Sequence, residues 1–296
     1  MICDAHVHFF SPGFVRALAG QRQVAVADAL AHLGWDDPES AEALADRWVA
    51  ELDTHRVARA AVIASIPGDE DAVSIAAARH PSRLVGYFML DPTAGDAESR
   101  VLRALERGAR GVCLFPAMQR YSLRDERVAR VAEMLAGFAQ PTVLFVHCGV
   151  LSVGARTRLG LPSHFDISHG NPLDLQGLAQ RFPQLPIVLP HFGAGMFREA
   201  LMLADLCPNI YFDTSSSNRW IRYTPGLTLE QVFATAIDVA GPERLLFGTD
   251  SSFFPRGWHR AVFDRQTAGL EAIGAQAQHI SLIVGRNFER LFVRNS

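Results

Sequence analysis

Short runs of branched and aromatic residues recur along this chain, and stretches with helical periodicity separate them. Runs of this length are typical of buried parallel strands, and their alternation with helices is typical of α/β proteins. The pattern predicts eight strands, which cover residues 2–8, 60–65, 84–90, 111–115, 142–147, 187–191, 210–213 and 245–250.

The segments between these runs carry apolar residues at helical spacing. In the first of them, Ala41, Leu44, Trp48 and Leu52 recur on one face, whereas Asp46 can face water. Such a stripe predicts a helix that packs on a sheet. Similar patterns predict helices over residues 71–79, 97–107, 126–138, 173–182, 198–206, 229–239 and 260–273, and a last covering helix over 278–292.

Eight strands that are each followed by a helix predict an α/β fold of the (β/α)8 TIM-barrel type. An open doubly wound sheet usually carries a GxGxxG turn after its first strand, and this chain has none there. The connections over 9–38, 148–171 and 214–228 are long, and in a barrel such βα loops form the active-site face. We expect one domain over residues 1–296.

Composition excludes several function classes. Hydrophobic residues make up 49% of the chain and charged residues 20%, as in ordinary globular domains. The net charge is -3 and the basic residues are dispersed, which argues against nucleic-acid binding. The apolar runs are too short to span a bilayer, the first residues lack a basic signal start, and no CxxC pair is present. We expect a cytoplasmic protein with reduced thiols and no membrane partner.

The first candidate for chemistry is the pair His6 and His8. Strand alternation would send both imidazoles to one face, while Ala5 and Val7 point to the other. Two imidazoles on one face can chelate a metal. The pair alone is a weak signal, since two histidines on the surface, or two hydrogen-bonded histidines in the core, would give the same sequence pattern.

Three further side chains stand at the ends of predicted strands: His147, His191 and Asp250. Taken singly, each histidine could be structural and the acid could cap the next helix. Together with the first pair they mark strands one, five, six and eight, all on the face where barrels carry out chemistry. Nitrogen ligands with one carboxylate suit zinc and related ions, whereas calcium and magnesium want more oxygen ligands.

This arrangement resembles the amidohydrolase superfamily over essentially the whole chain. The likeness is greatest to the amidohydrolase-2 group, which includes aminocarboxymuconate-semialdehyde decarboxylase and related hydrolases and decarboxylases. Besides the histidine pair, the likeness is carried by Leu-Pro-His-Phe-Gly-Ala-Gly at 189–195, Leu-Phe-Gly-Thr-Asp at 246–250 and Gly-Arg-Asn-Phe-Glu-Arg-Leu-Phe at 285–292.

The resemblance implies that His6, His8, His147 and Asp250 hold one divalent ion, most simply Zn²⁺, with Mn²⁺ or another transition ion as alternatives. It implies that His191 stands beside the ion as a polarising or proton-handling group, and that Asp250 is catalytic as well as a ligand. Whether His191 is itself a ligand stays open.

One departure from the family bears on metal stoichiometry. Binuclear relatives commonly bridge two ions with a carboxylated lysine, whereas all 28 basic residues here are arginine. A single ion is therefore favoured, although a bridge through a carboxylate or Cys113 stays open. For Cys113 and Cys148 we otherwise expect the ordinary role of small buried apolar residues.

Three functions remain in play. A metal-dependent hydrolase would use activated water on a lactone, amide or similar bond of a carboxylate-bearing substrate. A metal-dependent non-oxidative decarboxylase would release carbon dioxide from an aromatic or muconate-like acid. A barrel that binds a carboxylate without catalysis is the third.

Basic residues outnumber acidic ones in the predicted active-face loops over 148–171 and 214–228, where Asp166 is the one acid. Guanidinium groups bind carboxylates in a bidentate fork, so the excess predicts a small anionic substrate, although solvent-facing arginines would explain it equally well. The arginines of these and the other active-face loops are Arg120, Arg124, Arg156, Arg158, Arg219, Arg222 and Arg256, and the chosen substrate-binding candidates are Arg156, Trp220, Arg222 and Arg256.

Aromatic residues and further histidines lie in the same loops. The aromatic side chains could wall a pocket for a planar substrate or serve only loop packing; they are Trp220, Tyr223, Phe253, Phe254 and Trp258. The extra histidines are taken as loop residues: His164, His169 and His259. Relatives of this type often form dimers, so the resemblance also leaves a homodimer open.

Overall fold

The computed structural model of the protein describes residues 1–216 and 218–292. Within this part of the chain, eight parallel strands pair in chain order. They are β1 (Ile2–Phe9), β2 (Val57–Ala64), β3 (Leu84–Met89), β4 (Ala109–Leu114), β5 (Val143–Val146), β6 (Ile187–Leu189), β7 (Ile210–Asp213) and β8 (Leu245–Leu246).

The sheet closes between its last and first strands. The amide of Ala5 donates to the carbonyl of Phe247 over 2.8 Å, and the amide of His8 donates to the carbonyl of Ser251 over 2.7 Å. These bonds join the segment after β8 to β1, so the strands form a cylinder. The predicted (β/α)8 TIM barrel is confirmed.

Helices connect the strands around the outside. They are α1 (Pro12–Arg22), α2 (Val26–Leu33), α3 (Ala41–Thr54), α4 (Glu70–Arg79), α5 (Ala97–Glu106), α6 (Pro116–Gln119), α7 (Glu126–Ala136), α8 (Gly154–Arg158), α9 (Gln176–Arg181), α10 (Phe197–Leu206), α11 (Leu229–Ala240), α12 (Arg260–Ala272), α13 (Ala277–Ser281) and α14 (Asn287–Phe292). The predicted helices all lie within one of these or overlap it closely. The predicted last helix consists of α13, a π-helical turn at Leu282–Arg286, and α14.

Two apolar layers follow from strand alternation. Side chains such as Ile63, Tyr87 and Phe145 pack together inside the barrel. Their sequence neighbours, such as Val62 and Leu144, pack outward in the larger core with the helices. Burial on both faces is why these strands read as continuous apolar runs rather than as alternating ones.

The first strand departs from this alternation. Its register against β2 shifts between Asp4 and Val7. Ala5 packs with the inner layer, whereas Val7 packs with the outer layer. The expectation that Ala5 and Val7 point to the same face is therefore wrong. A bulge between Asp4 and Val7 shifts the alternation by one residue.

Predicted strands five, six and eight extend one to four residues past the observed carboxyl ends of these strands. They were extended to His147, His191 and Asp250, whereas the observed strands end at Val146, Leu189 and Leu246. His191 and Asp250 have φ angles of 55° and 60°, which no strand residue adopts. The chain therefore turns sharply at these two positions.

Part of the connection after β1 is helical, whereas the sequence predicts only a long loop there. Ser11 caps α1, its hydroxyl accepting from the amide of Phe14, and Pro12 occupies the first helical position. Helices α1 and α2 form a small apolar cluster with α8, and we call these three helices the cap. The cluster includes Phe14, Leu18, Leu33, Trp35, Ala155 and Leu159.

No helix of the described residues is both long and apolar enough to cross a membrane. The single-domain prediction spans 1–296, of which residues 217 and 293–296 lie outside the described part of the chain. It stays a prediction.

Candidate active site

A cavity of about 750 Å³ opens at the carboxyl ends of the strands. His6, His8, His147, His191 and Asp250 all line it, which brings together five side chains from four strand ends. The ring of His6 lies edge-on over the ring of Phe145, with 5.1 Å between centroids, so the inner apolar layer forms the floor beneath the histidines.

Three of these side chains converge on one point. The Nε2 atoms of His6 and His8 lie 3.3 Å apart. Oδ1 of Asp250 is 3.2 Å from Nε2 of His8 and 3.7 Å from Nε2 of His6. One ligand atom from each residue lies within 4.8 Å of the others, a grouping that can hold a metal ion.

The opposite ring nitrogens of both histidines have acceptors. Nδ1 of His6 lies 2.6 Å from Oδ2 of Asp213. Nδ1 of His8 lies 2.7 Å from Oγ of Ser65, whose own proton is directed to the carbonyl of Ile63. Each Nδ1 therefore carries the proton, and each Nε2 presents a lone pair to the other.

This donor set fits a divalent cation. Two lone pairs and a carboxylate oxygen that face one another repel unless a positive charge lies between them. Tetrahedral zinc with bonds of about 2.1 Å requires ligand atoms about 3.4 Å apart, close to the observed separations of 3.2, 3.3 and 3.7 Å. Support from Asp213 and Ser65 is the usual second hydrogen bond of a metal-bound histidine.

The charge states agree with that fit. Burial raises the pKa of Asp250, but the hydrogen bond with His8 and the nearby imidazoles of His6 and His191 outweigh it and hold that pKa far below its usual range. Burial lowers the pKa of His8. The site thus presents an ionised carboxylate beside a neutral imidazole.

His6 differs from the other histidines. Burial lowers its pKa, but the adjacent carboxylate of Asp213 outweighs burial, so the net effect is a raised pKa. Burial lowers the pKa of His191, and it lowers the pKa of His147 well below the usual value. Among these four histidines, His6 is thus the one whose pKa is raised, because it faces the carboxylate of Asp213.

The remaining two histidines lie beside these three converging side chains. The ring of His191 stacks on that of His6 with 5.1 Å between centroids, and the ring of His147 meets that of His191 edge-on at 5.3 Å. Nδ1 of His147 is buried and has no hydrogen-bond partner within the described residues. An unpartnered buried nitrogen at this place is compatible with a ligand role, and that role stays a prediction.

His191 is held in an unusual backbone conformation. It and Phe192 have left-handed φ angles of 55° and 53°, followed by Ala194 at 45°. Left-handed backbone costs about 1–3 kcal/mol for a residue other than glycine, and such strain concentrates at functional sites. The turn places the imidazole back over the barrel instead of along the strand.

The arginines divide into two groups. Arg120 donates to the carbonyl of His164 and Arg124 pairs with Asp174, so neither faces the cavity. The other five line the cavity, namely Arg156, Arg158, Arg219, Arg222 and Arg256. Within residues 1–216 and 218–292, no carboxylate lies within salt-bridge distance of these five.

The proposed substrate-binding residues occupy different settings on the wall. Arg156 donates to the side-chain oxygen of Gln21 over 2.5 Å. Arg256 donates to Oγ of Ser252 over 2.8 Å. Arg222 is exposed beside Tyr223. All three line the cavity together with Trp220.

The aromatic predictions are only partly matched by the cavity wall. Trp220, Tyr223 and Phe253 line the cavity, whereas Phe254 and Trp258 are buried in the outer core. Trp258 donates its indole proton to Asp4, so it supports the barrel rim. His164, His169 and His259 are not among the residues that line the cavity.

Several residues of the site were missed in the sequence. Asp213 ends a predicted strand as Asp250 does, so the same signal was available for it. Phe10 follows His8 at the next same-face position and stacks on it with 5.5 Å between centroids. Ser215 gave no sequence signal, because its contacts with His6 and His191 come from residues more than 20 positions away.

Both cysteines singled out in the sequence are fully buried, as expected of small apolar residues. Burial raises the pKa of Cys113 well above its usual value, and it also raises the pKa of Cys148. Neither thiol lines the cavity. Cys113 packs in the inner layer instead.

The fold and the histidine–aspartate cluster define a metal-dependent enzyme of the amidohydrolase superfamily. The model of an amidohydrolase family, the amidohydrolase-2 group, matches residues 3–292 of this chain. The chain belongs to this amidohydrolase-2 family.

A curated relative is Protein fluG of Emericella nidulans, which is 26% identical over 170 residues. The match covers 56% of this chain and 18% of that protein, so the chain spans only a small part of the relative's length.

Solved structures share the barrel. One is a probable 2-pyrone-4,6-dicarboxylic acid hydrolase from Acinetobacter baumannii with citric acid bound, with a TM-score of 0.61 and 15% identity over 98% of both chains. Another is an amidohydrolase from Burkholderia multivorans with bound zinc, with a TM-score of 0.62 and 18% identity over 98% of both chains. At these identities the likeness establishes the fold alone.

Proposed function

We propose that this protein is a hydrolase that holds one divalent ion, most simply zinc, and cleaves a lactone, amide or similar bond in a small carboxylate-bearing substrate. The observation that carries the proposal is the convergence of Nε2 of His6, Nε2 of His8 and Oδ1 of Asp250 at the floor of an arginine-lined cavity. His147 would complete the ligand set.

The bound ion would supply a Lewis acid that activates water and polarises the substrate carbonyl. Asp250 keeps a low pKa, so its carboxylate is ionised and can accept the proton of the attacking water. Asp250 then returns that proton to the leaving group. His191 lines the cavity beside these residues, where its ring can take part in proton transfer during the reaction.

The wall of the cavity supports a substrate with two parts. Part of the wall is aromatic: Phe10 stacks on Trp35 at 5.2 Å, and Trp35 stacks on Phe253 at 4.9 Å. The five arginines line the same cavity without a carboxylate of the described residues at salt-bridge distance, and Arg256 lies over the ring of Phe253 at 4.6 Å. A planar or conjugated group would lie against the aromatic rings, while one or two carboxylates would bind the guanidinium groups.

The comparisons support this substrate class. The structural relative named as a probable 2-pyrone-4,6-dicarboxylic acid hydrolase holds citric acid, a polycarboxylate. The Burkholderia relative holds zinc. Both have a barrel like that of this chain.

The metal is tested on purified protein. We expect about one tightly bound ion per chain, loss of activity after chelation and recovery when zinc is added back. His6→Ala and Asp250→Ala should reduce activity to background. His164→Ala is the matched control, because His164 is exposed outside the cavity and contributes only its backbone carbonyl to Arg120.

Two results would contradict the metal assignment. About two tightly bound ions per chain would refute a mononuclear site. A protein that binds no metal, yet binds carboxylates with unchanged affinity after chelation, would favour a binding barrel without catalysis.

The reaction is tested with a panel of carboxylate-bearing lactones and amides and of aromatic carboxylic acids. We expect acid release by ring opening or amide cleavage. Release of carbon dioxide without addition of water would replace the hydrolase proposal with the decarboxylase. Arg222→Ala should raise KM about 10-fold or more, because a charge-assisted hydrogen bond is lost, whereas Arg198→Ala on exposed α10 should not.

A further inference from the structure

One serine hydroxyl joins three polar groups beneath the active-site cavity. Ser215 has no exposure to solvent, and its Oγ lies 2.9 Å from Nδ1 of His6 and 2.9 Å from Nδ1 of His191. The same Oγ lies 3.0 Å from Oδ2 of Asp213. No motif or role in the proposed reaction accounts for this junction.

The positions of the protons follow from which groups can only accept. The backbone carbonyl of Ser215 lies 3.2 Å from Nδ1 of His191 and can only accept, so that nitrogen carries a proton. The Ser215 hydroxyl accepts from the same nitrogen and donates its single proton to Asp213. Asp213 Oδ2 also accepts from Nδ1 of His6. Every donor of the junction then has an acceptor.

These proton positions define the tautomer of His191. With its proton on Nδ1, its Nε2 carries a lone pair, and Nε2 has no hydrogen-bond partner among the residues that the structure describes. The strained left-handed backbone at His191 requires contacts that hold it in place. The two contacts to Ser215 are the hydrogen bonds of this ring.

We propose that Ser215 is a positioning residue: its backbone carbonyl and its hydroxyl together hold His191 in the Nδ1–H tautomer and in its orientation, and the hydroxyl links that ring to the Asp213–His6 pair. The role that this gives His191 in proton handling rests on the proposed function. The placement of the His191 ring does not rest on the proposed function, because contacts within the chain determine it.

The substitution Ser215→Ala tests this proposal. The variant removes the hydroxyl acceptor of His191 but leaves the longer contact of that ring with the backbone carbonyl and the direct bond between His6 and Asp213. We therefore expect kcat to fall about 10-fold or more while KM and metal content stay near wild type, since a lost hydrogen bond to an orienting group of this kind is worth about a factor of ten.

A spectroscopic readout separates positioning from general damage. Nitrogen-15 NMR of the histidine rings reports the tautomer, and we expect a single Nδ1–H form for His191 in the wild type. In Ser215→Ala only the longer contact with the backbone carbonyl holds that proton, so we expect some of the Nε2–H form to appear. This measurement works on metal-free protein without any substrate. It therefore decides the positioning claim even if the proposed hydrolysis fails.

The neighbouring residue supplies a matched control. Thr214 is equally buried, and its Oγ1 bonds to Gln266 over 2.6 Å without touching a histidine. Thr214→Val removes a buried hydroxyl of the same kind and should leave kcat and the His191 tautomer unchanged. If Ser215→Ala does not fold, Ser215→Cys, which keeps an acceptor of similar size, replaces it and should show a smaller version of both effects.

A wild-type kcat together with a wild-type ring spectrum in a folded Ser215 variant would overturn the proposal. Equal losses in the Ser215 and Thr214 variants would overturn it as well, because they would reflect only the removal of a buried hydroxyl.

Discussion

Oδ2 of Asp213 lies 2.6 Å from Nδ1 of His6, and both side chains are shut off from solvent. The two residues are 207 positions apart in the chain. This contact fixes the proton of His6 on the side away from the cavity and leaves Nε2 free as a ligand. A residue that never touches the ion thus determines whether His6 can bind it.

Asp213→Asn should weaken zinc binding about 10- to 100-fold, the usual cost of losing such a supporting contact. The amide nitrogen of asparagine would face the proton on Nδ1 of His6, which favours the tautomer with its proton on Nε2. Competition with a chromogenic chelator measures the dissociation constant. Asp205→Asn on the exposed side of α10 is the control; equal affinities in both variants would contradict the assignment.

Gly248 leaves no room for a side chain beside the metal site. A Cβ built there would lie 2.6 Å from Oδ1 of Asp213, 2.9 Å from Cβ of Ser215 and 3.0 Å from Cβ of His6. Gly248→Ala must displace these groups, so we expect zinc affinity and melting temperature both to fall. At Gly177 a Cβ meets nothing within 4 Å, so Gly177→Ala should lower neither the zinc affinity nor the melting temperature.

Asp4 ties the rim of the barrel together. Its carboxylate accepts from the amides of His6 and Thr249, from the hydroxyl of Thr249 and from the indole of Trp258. Asp4→Asn places an NH₂ group against donors, and each unsatisfied buried donor costs about 1–3 kcal/mol. We expect a loss of at least about 2 kcal/mol in metal-free chemical denaturation.

The exposed pair Arg260–Asp264 is the comparison for that variant. Asp264→Asn should cost less than about 1 kcal/mol, since exposed ion pairs contribute little. Finding the same small loss for Asp4→Asn would show that the rim does not depend on this carboxylate.

A pH effect is expected at the ion pair that joins α4 to α5. Arg100 binds Glu70 through two hydrogen bonds of 2.7 and 2.9 Å, and the side chains are 11% and 14% exposed. Burial raises the pKa of Glu70, but the bonds from Arg100 outweigh it and the pKa is lowered. The pair therefore stabilises the fold above the unfolded-state pKa, and this stability is lost as pH falls through the lower folded-state pKa.

Glu70→Gln should accordingly destabilise the protein by about 1–3 kcal/mol at pH 7. The difference from wild type should shrink as the pH is lowered past the ordinary glutamate pKa. Urea denaturation at a series of pH values measures it. A difference that does not change with pH would show that Glu70 acts through packing and not through its charge.

The barrel could be predicted because strand and helix periodicities are local. Residues two apart share a strand face and residues three or four apart share a helix face, so runs such as 210–213 are visible in the sequence alone. The candidate ligands were visible for the same reason, since parallel strands all deliver their last side chains to one mouth.

The cap could not be predicted in this way. Helix α1 is as long as several of the predicted helices, but its buried residues pack in the cluster with α2 and α8 and not in the core that the other helices form with the strands. Its cluster with α8 joins segments more than 100 residues apart; for example, Nε2 of His32 lies 2.8 Å from the carbonyl of Arg158. No local pattern encodes such a contact.

The sequence by itself determined the barrel, the strand ends that carry His6, His8, His147, His191 and Asp250, and the excess of arginine in the loops. Tertiary structure alone decided which ring nitrogen is free in His6, His8 and His191, through Asp213, Ser65 and Ser215, and which arginines face the cavity. The physical reason is that periodicity records which face of an element a residue occupies. Hydrogen bonds between distant elements depend on distances that exist only after the barrel has closed.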